Sequence, residues 1–87
     1  MMYEILLSHE AEKFYKRQPP EVKLKVNRCM DNLSTSPIFG PHIRKLHGRL
    51  AGKHRFALGN LRIIYRVDRA HNSVEVFAIG FRGDVYK

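Results

Sequence analysis

The sequence predicts an α+β fold: two N-terminal helices packed on one face of a mainly antiparallel, twisted sheet of three or four strands. Three observations carry this. Apolar residues recur at helical spacing up to Leu33, a Val-, Ile- and Phe-rich half follows Gly52, and Gly59-Asn60 divides that half at a hairpin turn. Helices gathered ahead of the strands imply two layers, not a wound α/β sheet.

Each element has a local reason. Tyr3-Glu4-Ile5-Leu6-Leu7 is a short strand, and Ser8 is a helix N-cap, with Glu10 and Glu12 near the positive end of the helix. Ala11, Phe14 and Tyr15 form the stripe of that helix, which ends near Gln18 at Pro19-Pro20. Pro20 suits the first turn of a second helix. There Val22, Val26, Cys29, Met30 and Leu33 share one face, and Ser34-Thr35-Ser36-Pro37 ends it. Residues 38–52 read as loop, with a short strand near Lys45-Leu46-His47. Strands follow at 53–58, 61–67 and 73–80, with a longer turn from Arg69 to Asn72.

Size and composition bound the function. The 87 residues form one domain, 1–87, with a small core. The lone Cys29, on the apolar stripe, allows no internal disulfide, and no apolar run approaches the roughly 20 residues of a membrane span. Met1-Met2-Tyr3-Glu4 lacks the basic start of a signal peptide, so a cytoplasmic protein is expected. Net charge is +8, and residues 42–69 carry +7 of it: Arg44, Lys45, Arg49, Lys53, Arg55, Arg62, Arg66 and Arg69 against Asp68. Such a field suits a polyanion, with nucleic acid ahead of an acidic protein or an anionic membrane. Paired carboxylates, metal-spaced His/Cys clusters, a phosphate-binding glycine loop and a Ser/His/Asp pattern are all missing, which disfavours a metal-dependent nuclease; no cofactor is expected.

The hairpin sets where that charge points. If Gly59-Asn60 is the whole loop, Leu58 pairs with Leu61, Ala57 with Arg62, Phe56 with Ile63, Arg55 with Ile64, His54 with Tyr65 and Lys53 with Arg66. Opposed residues share a face, so Lys53, Arg55, Arg62 and Arg66 project to one side. Phe56, Leu58, Leu61, Ile63, Tyr65 and Val67 project to the other, where the helices must lie, and His54 goes with them. Lys53 opposite Arg66 is a like-charge pair, a cost that a bound phosphate would relieve.

Leu46-His47-Gly48, then the run from Lys53 to Asp68 with its Gly59-Asn60-Leu61-Arg62-Ile63-Ile64-Tyr65, then Ala78-Ile79-Gly80-Phe81-Arg82 and Val85-Tyr86, together resemble the RelE branch of the RelE/ParE toxin superfamily. The resemblance runs nearly the full chain and includes Ser8, Ala11 and the Leu33-Ser34-x-x-Pro37 helix end. It implies a RelE-like, microbial-RNase-like fold and a type II toxin–antitoxin toxin, an mRNA interferase that stops translation and growth under stress. Such toxins cut mRNA on the ribosome by attack of the ribose 2′-hydroxyl on the adjacent phosphorus, without a metal. A cognate RelB-like antitoxin of unspecified family wraps the toxin, which is monomeric when free. Carried onto this sequence, the family pattern falls on Lys53 and Arg55, on Arg62, on Arg82 and on Tyr86. The alternative within the same fold is a ParE-like gyrase inhibitor or a catalytically weak member that binds only antitoxin or RNA; outside it stands a general RNA-binding domain.

Cleavage of this kind needs removal of the 2′-hydroxyl proton, stabilisation of a dianionic phosphorane, and a proton for the leaving 5′ oxygen. The forked guanidinium groups of Arg62 and Arg82 suit the phosphorane. Lys53, Arg55, Arg66, Arg44 and Lys45 suit RNA binding, and Tyr86 suits base stacking or proton transfer. Two departures stand out. Phe81 occupies a position where many relatives have His, and Lys87 brings a terminal carboxylate beside Tyr86 and Arg82.

Overall fold

The computed structural model describes residues 2–83. The first junction is built on Ser8. Its hydroxyl oxygen accepts from the Ala11 N–H at 3.1 Å, capping the helix that follows, and donates to the Phe77 carbonyl at 2.8 Å. One side chain thus joins strand β1 (Glu4–Leu7) to helix α1 (His9–Lys16) and ties both to the last strand. Helix α1 stops two residues before the expected Gln18, whose side-chain amide donates to the Phe14 carbonyl. Helix α2 (Pro20–Thr35) begins on Pro20, where the missing N–H has no helical partner to lose. Its predicted stripe is its buried face: Val26, Cys29 and Leu33 are fully enclosed, and Val22 and Met30 pack at the margin.

Five strands form one sheet, in the order β1-β5-β4-β3-β2. The count exceeds the expected three or four because both short strands join the sheet: β2 (Ile43–Lys45), two residues earlier than the expected Lys45-Leu46-His47, and β1, which lies parallel to β5 (Ser73–Phe81). The sheet is therefore mixed, with one parallel pair. A three-residue strand is too short to show alternation, which is why residues 38–52 read as loop. A single turn of 3₁₀ helix (Gly48–Leu50) follows it.

Strands β3 (His54–Leu58) and β4 (Leu61–Asp68) pair in the register set by Gly59-Asn60, from Leu58 with Leu61 to His54 with Tyr65. Gly59 has φ +61°, the left-handed value that a Gly-first hairpin turn demands, while Asn60 keeps a negative φ. Phe56, Leu61, Ile63 and Tyr65 accordingly face the helices in one core with Val74, Val76 and Ile79. At roughly 1.5–3 kcal/mol for each large apolar side chain removed from water, this layer supplies most of the gain in folding.

Tyr65 is fully buried, and its hydroxyl donates to the Pro37 carbonyl at 2.7 Å, pinning the segment after α2 to the sheet. Burial pushes its phenol well above the usual range. Tyr65→Phe leaves that carbonyl without its donor and is expected to lower stability by about 1–3 kcal/mol, read as the shift in a urea unfolding midpoint. An unchanged midpoint would show that water replaces the bond.

Candidate nucleic-acid interface

The helices cover one side of the sheet; the basic side chains occupy the other. Arg44 pairs with Arg55 across β2 and β3, Arg55 with Ile64, Ala57 with Arg62, Ile64 with Ala78, and Arg62 with Gly80. Directly opposed residues share a face, so Arg44, Arg55 and Arg62 stand together among Ala57, Ala78 and Gly80. The small residues leave room between the cations. The Arg55 Nε is shielded from water and has no hydrogen-bond partner, a donor held low against the sheet that an anion could satisfy.

At the hairpin end the geometry is tightest. One terminal nitrogen of Arg62 donates to the Gly59 carbonyl at 2.6 Å and the Leu61 carbonyl at 3.0 Å. The turn thereby holds the guanidinium in place and leaves its other donors for an anion. The Arg82 backbone N–H donates to the Asn60 carbonyl at 2.7 Å, which sets Arg82 against the same turn. Gly80, opposite Arg62, belongs to the arginine face, and Arg82 lies just beyond β5 in a turn that this backbone bond holds beside the hairpin. Phe81 points the other way: its ring meets Phe14 of α1 edge-on, with centroids 5.6 Å apart. Position 81, where the resemblance leads one to expect His, is thus a helix-side position in this chain.

The opposite end departs from the expected clash of Lys53 with Arg66. Lys53 lies just outside β3, and its ammonium sits over the ring of Phe77, 4.9 Å from the centroid. Arg66 faces Glu75 across β4 and β5 and donates to its carboxylate through Nε at 2.8 Å and through a terminal nitrogen. Arg66 is therefore a neutralised member of the face, and the like-charge strain that suggested a bound phosphate is absent.

Lys45 falls elsewhere. It pairs with His54, and so shares the helix side with His54 and Tyr65. Together with Ile38, Phe39, Ile43 and Arg69 these two residues line a groove of about 680 Å³. His54 stacks on Tyr65, with ring centroids 5.6 Å apart and planes 20° apart, and its Nδ1 is buried without a partner. Lys45 does not join Arg44 and Arg55. Tyr86, Lys87 and the terminal carboxylate lie outside the described residues. Among the described residues no cluster of three or more His, Cys, Asp or Glu could hold a metal, and no helix is long and apolar enough to cross a membrane.

No protein-family model and no curated protein matches the chain. Solved structures do. A chain of the RelBE2 toxin–antitoxin complex from Mycobacterium tuberculosis superposes with TM-score 0.83 at 24% identity, over 94% of this chain and 100% of that one. A chain of the RelE–RelB complex from Pyrococcus horikoshii gives 0.77 at 23%, over 98% and 100%. The isolated RelE toxin from E. coli gives 0.77 at 20%, over 92% and 84%. The chain has the RelE-like fold.

His54 supplies a measurable signature of the helix side. Burial first, then the charge of Lys45, holds its imidazolium below the ordinary range. The unfolded state therefore binds the proton more readily than the folded state, and stability falls as pH drops below about 6.5. His54→Phe, which keeps a ring on Tyr65, is expected to flatten the fall in melting temperature between pH 7.5 and 5.5; an identical slope in the variant would refute the assignment.

Proposed function

We propose that this chain is a toxin of the RelE type, an endoribonuclease that cleaves mRNA on the ribosome without a metal and so arrests translation. The observation that carries the proposal is the pairing of Arg62 and Arg82 at one turn of an open basic face, with Arg62 fixed by two backbone carbonyls. Fixed donors stabilise a developing charge without having to reorganise during the reaction.

In this reading the ribose 2′-oxygen attacks the neighbouring phosphorus, the bond from phosphorus to the 5′ oxygen breaks, and the products end in a 2′,3′-cyclic phosphate and a 5′-hydroxyl. Arg62 and Arg82 hold the non-bridging oxygens as the phosphorane forms. Arg55 and Arg44 hold a flanking phosphate, with Lys53 at the far end of the same face. Tyr86 is assigned to base stacking or to moving a proton at the 2′ or 5′ oxygen. Arg66, neutralised by Glu75, is assigned no phosphate, and Lys45 is left out of the RNA site.

The partner in this reading is an acidic antitoxin of RelB type. The RelBE2 and RelE–RelB structures with this fold are complexes of toxin with antitoxin, and acidic side chains would neutralise the same arginines that take RNA. Both events belong to the cytoplasm.

Induced expression followed by primer extension on a translated mRNA tests the proposal. Wild type is expected to produce discrete cuts bearing 5′-hydroxyl ends. Arg62→Ala and Arg82→Ala are each expected to slow cleavage by about 10²–10³, the usual cost of one preorganised donor, while remaining folded. Intact mRNA alongside inhibited DNA supercoiling would instead make the chain a gyrase inhibitor.

A further inference from the structure

Phe77 is a large apolar side chain left 39% exposed in the middle of the longest strand, on the basic side of the sheet. It is there because the β4–β5 ladder slips at this point. Ile64 pairs with Ala78 and Tyr65 with Val76, so Phe77 is the extra residue of a β-bulge. A bulge re-aims one side chain out of the strict alternation. Without it, Phe77 and Ala78 would take opposite faces; with it, the Phe77 ring lies where Lys53 reaches it.

The bulge is fixed, not loose. The Phe77 carbonyl accepts from the Ser8 hydroxyl, and the adjacent Val76 carbonyl accepts from the Ser8 N–H at 2.9 Å. The N-cap of α1 therefore locks the backbone that presents the ring. Ile64, between Arg55 and Ala78, is buried although it stands on the open face and lies outside the helix-side core. This part of the face is an apolar floor with cations around it.

Resting on the RNA-cleaving reading above, we propose that Phe77 is a nucleobase-stacking platform, which holds a base of the single-stranded RNA while the neighbouring cations hold its phosphates. A flat apolar ring between positive side chains is the arrangement that single-strand binders use, because every base offers a π-face to stack and every linkage a charge to pair. An acidic protein segment would use the same arginines but has no need of an exposed ring capped by an ammonium. Lys53, which covers the ring in the free chain, gives that face up to the base and pairs with the phosphate beside it. In this chain it lies about 13 Å along the sheet from Arg62, four residues of strand rise. The platform thus engages a nucleotide at a distance from the bond that breaks.

The test is binding by fluorescence anisotropy of the full chain to two non-cleavable 2′-O-methyl strands of equal charge. One carries all its bases and the other is abasic at successive single positions. Wild type is expected to prefer the intact strand. Phe77→Leu, which keeps apolar cover over Ile64, is expected to weaken the intact strand by about 5- to 150-fold, the worth of one stacked base. Its affinity for the strand lacking the base that stacks should not change. Phe77→Trp should restore the preference. Equal affinity of Phe77→Leu and wild type for the intact strand, or equal losses on both strands, would overturn the platform while leaving the RNA-cleaving reading intact. Failure of wild type to bind either strand in a salt-dependent way would overturn both.

Discussion

The two-residue turn at Gly59-Asn60 is the constraint on which the rest depends. A left-handed φ at Gly59 closes the hairpin with Leu58 opposite Leu61. A slip of one residue would exchange the faces of a whole strand, sending Arg62 and Ile64 into the helix layer and Leu61, Ile63 and Tyr65 into water. The turn is watched from three sides. Arg62 donates to its carbonyl at Gly59, Arg82 donates to its carbonyl at Asn60, and Lys25 of α2 sits so near Gly59 that an added Cβ would come within 2.9 Å of its ammonium. The turn that specifies the register thus also fixes the Arg62 guanidinium on the basic face.

Concentrating seven net charges in residues 42–69 should strain the fold, and the structure shows how the strain is managed. No single device is used. Arg66 is neutralised by Glu75, Lys53 rests on an aromatic ring, and Arg62 donates to backbone oxygens. Lys45 is turned to the far side of the sheet, and Ala57, Ala78 and Gly80 space the remaining guanidinium groups. Apart from the Arg66–Glu75 pair these devices leave the net charge unchanged, so the chain keeps a positive field at longer range.

The legible parts of the fold were those with a strong local signal. The α2 stripe, the Ser8 cap, the Pro20 start and the hairpin register all follow from period, capping chemistry and turn type, and the register alone put Arg55 and Arg62 on one face. What escaped depends on contacts distant in sequence. Strand β2 is too short to show a period, and its true start moved Lys45 off the face. Glu75 meets Arg66 only because β5 lies beside β4. The bulge at Phe77 is hidden in the sequence, where Val76-Phe77-Ala78-Ile79 is one continuous apolar run; only the pairing of Ile64 with Ala78 reveals it.

Position 81 shows how a face assignment changes a chemical argument. Read along the chain, Phe81 replaces a titratable neighbour of Arg82 and weakens the case for catalysis. Read in the sheet, residue 80 belongs to the arginine face and residue 81 to the helix layer, where the ring packs on Phe14. An imidazole there would extend toward α1, with the sheet between it and the Arg62 guanidinium. Phe81 therefore removes no donor or base from the side where phosphate would lie. In the proposed reading, the demand for a proton carrier then shifts from residue 81 to the open face. Proton transfer in that reading falls to Tyr86 and the electrostatic part of the reaction to the arginine pair.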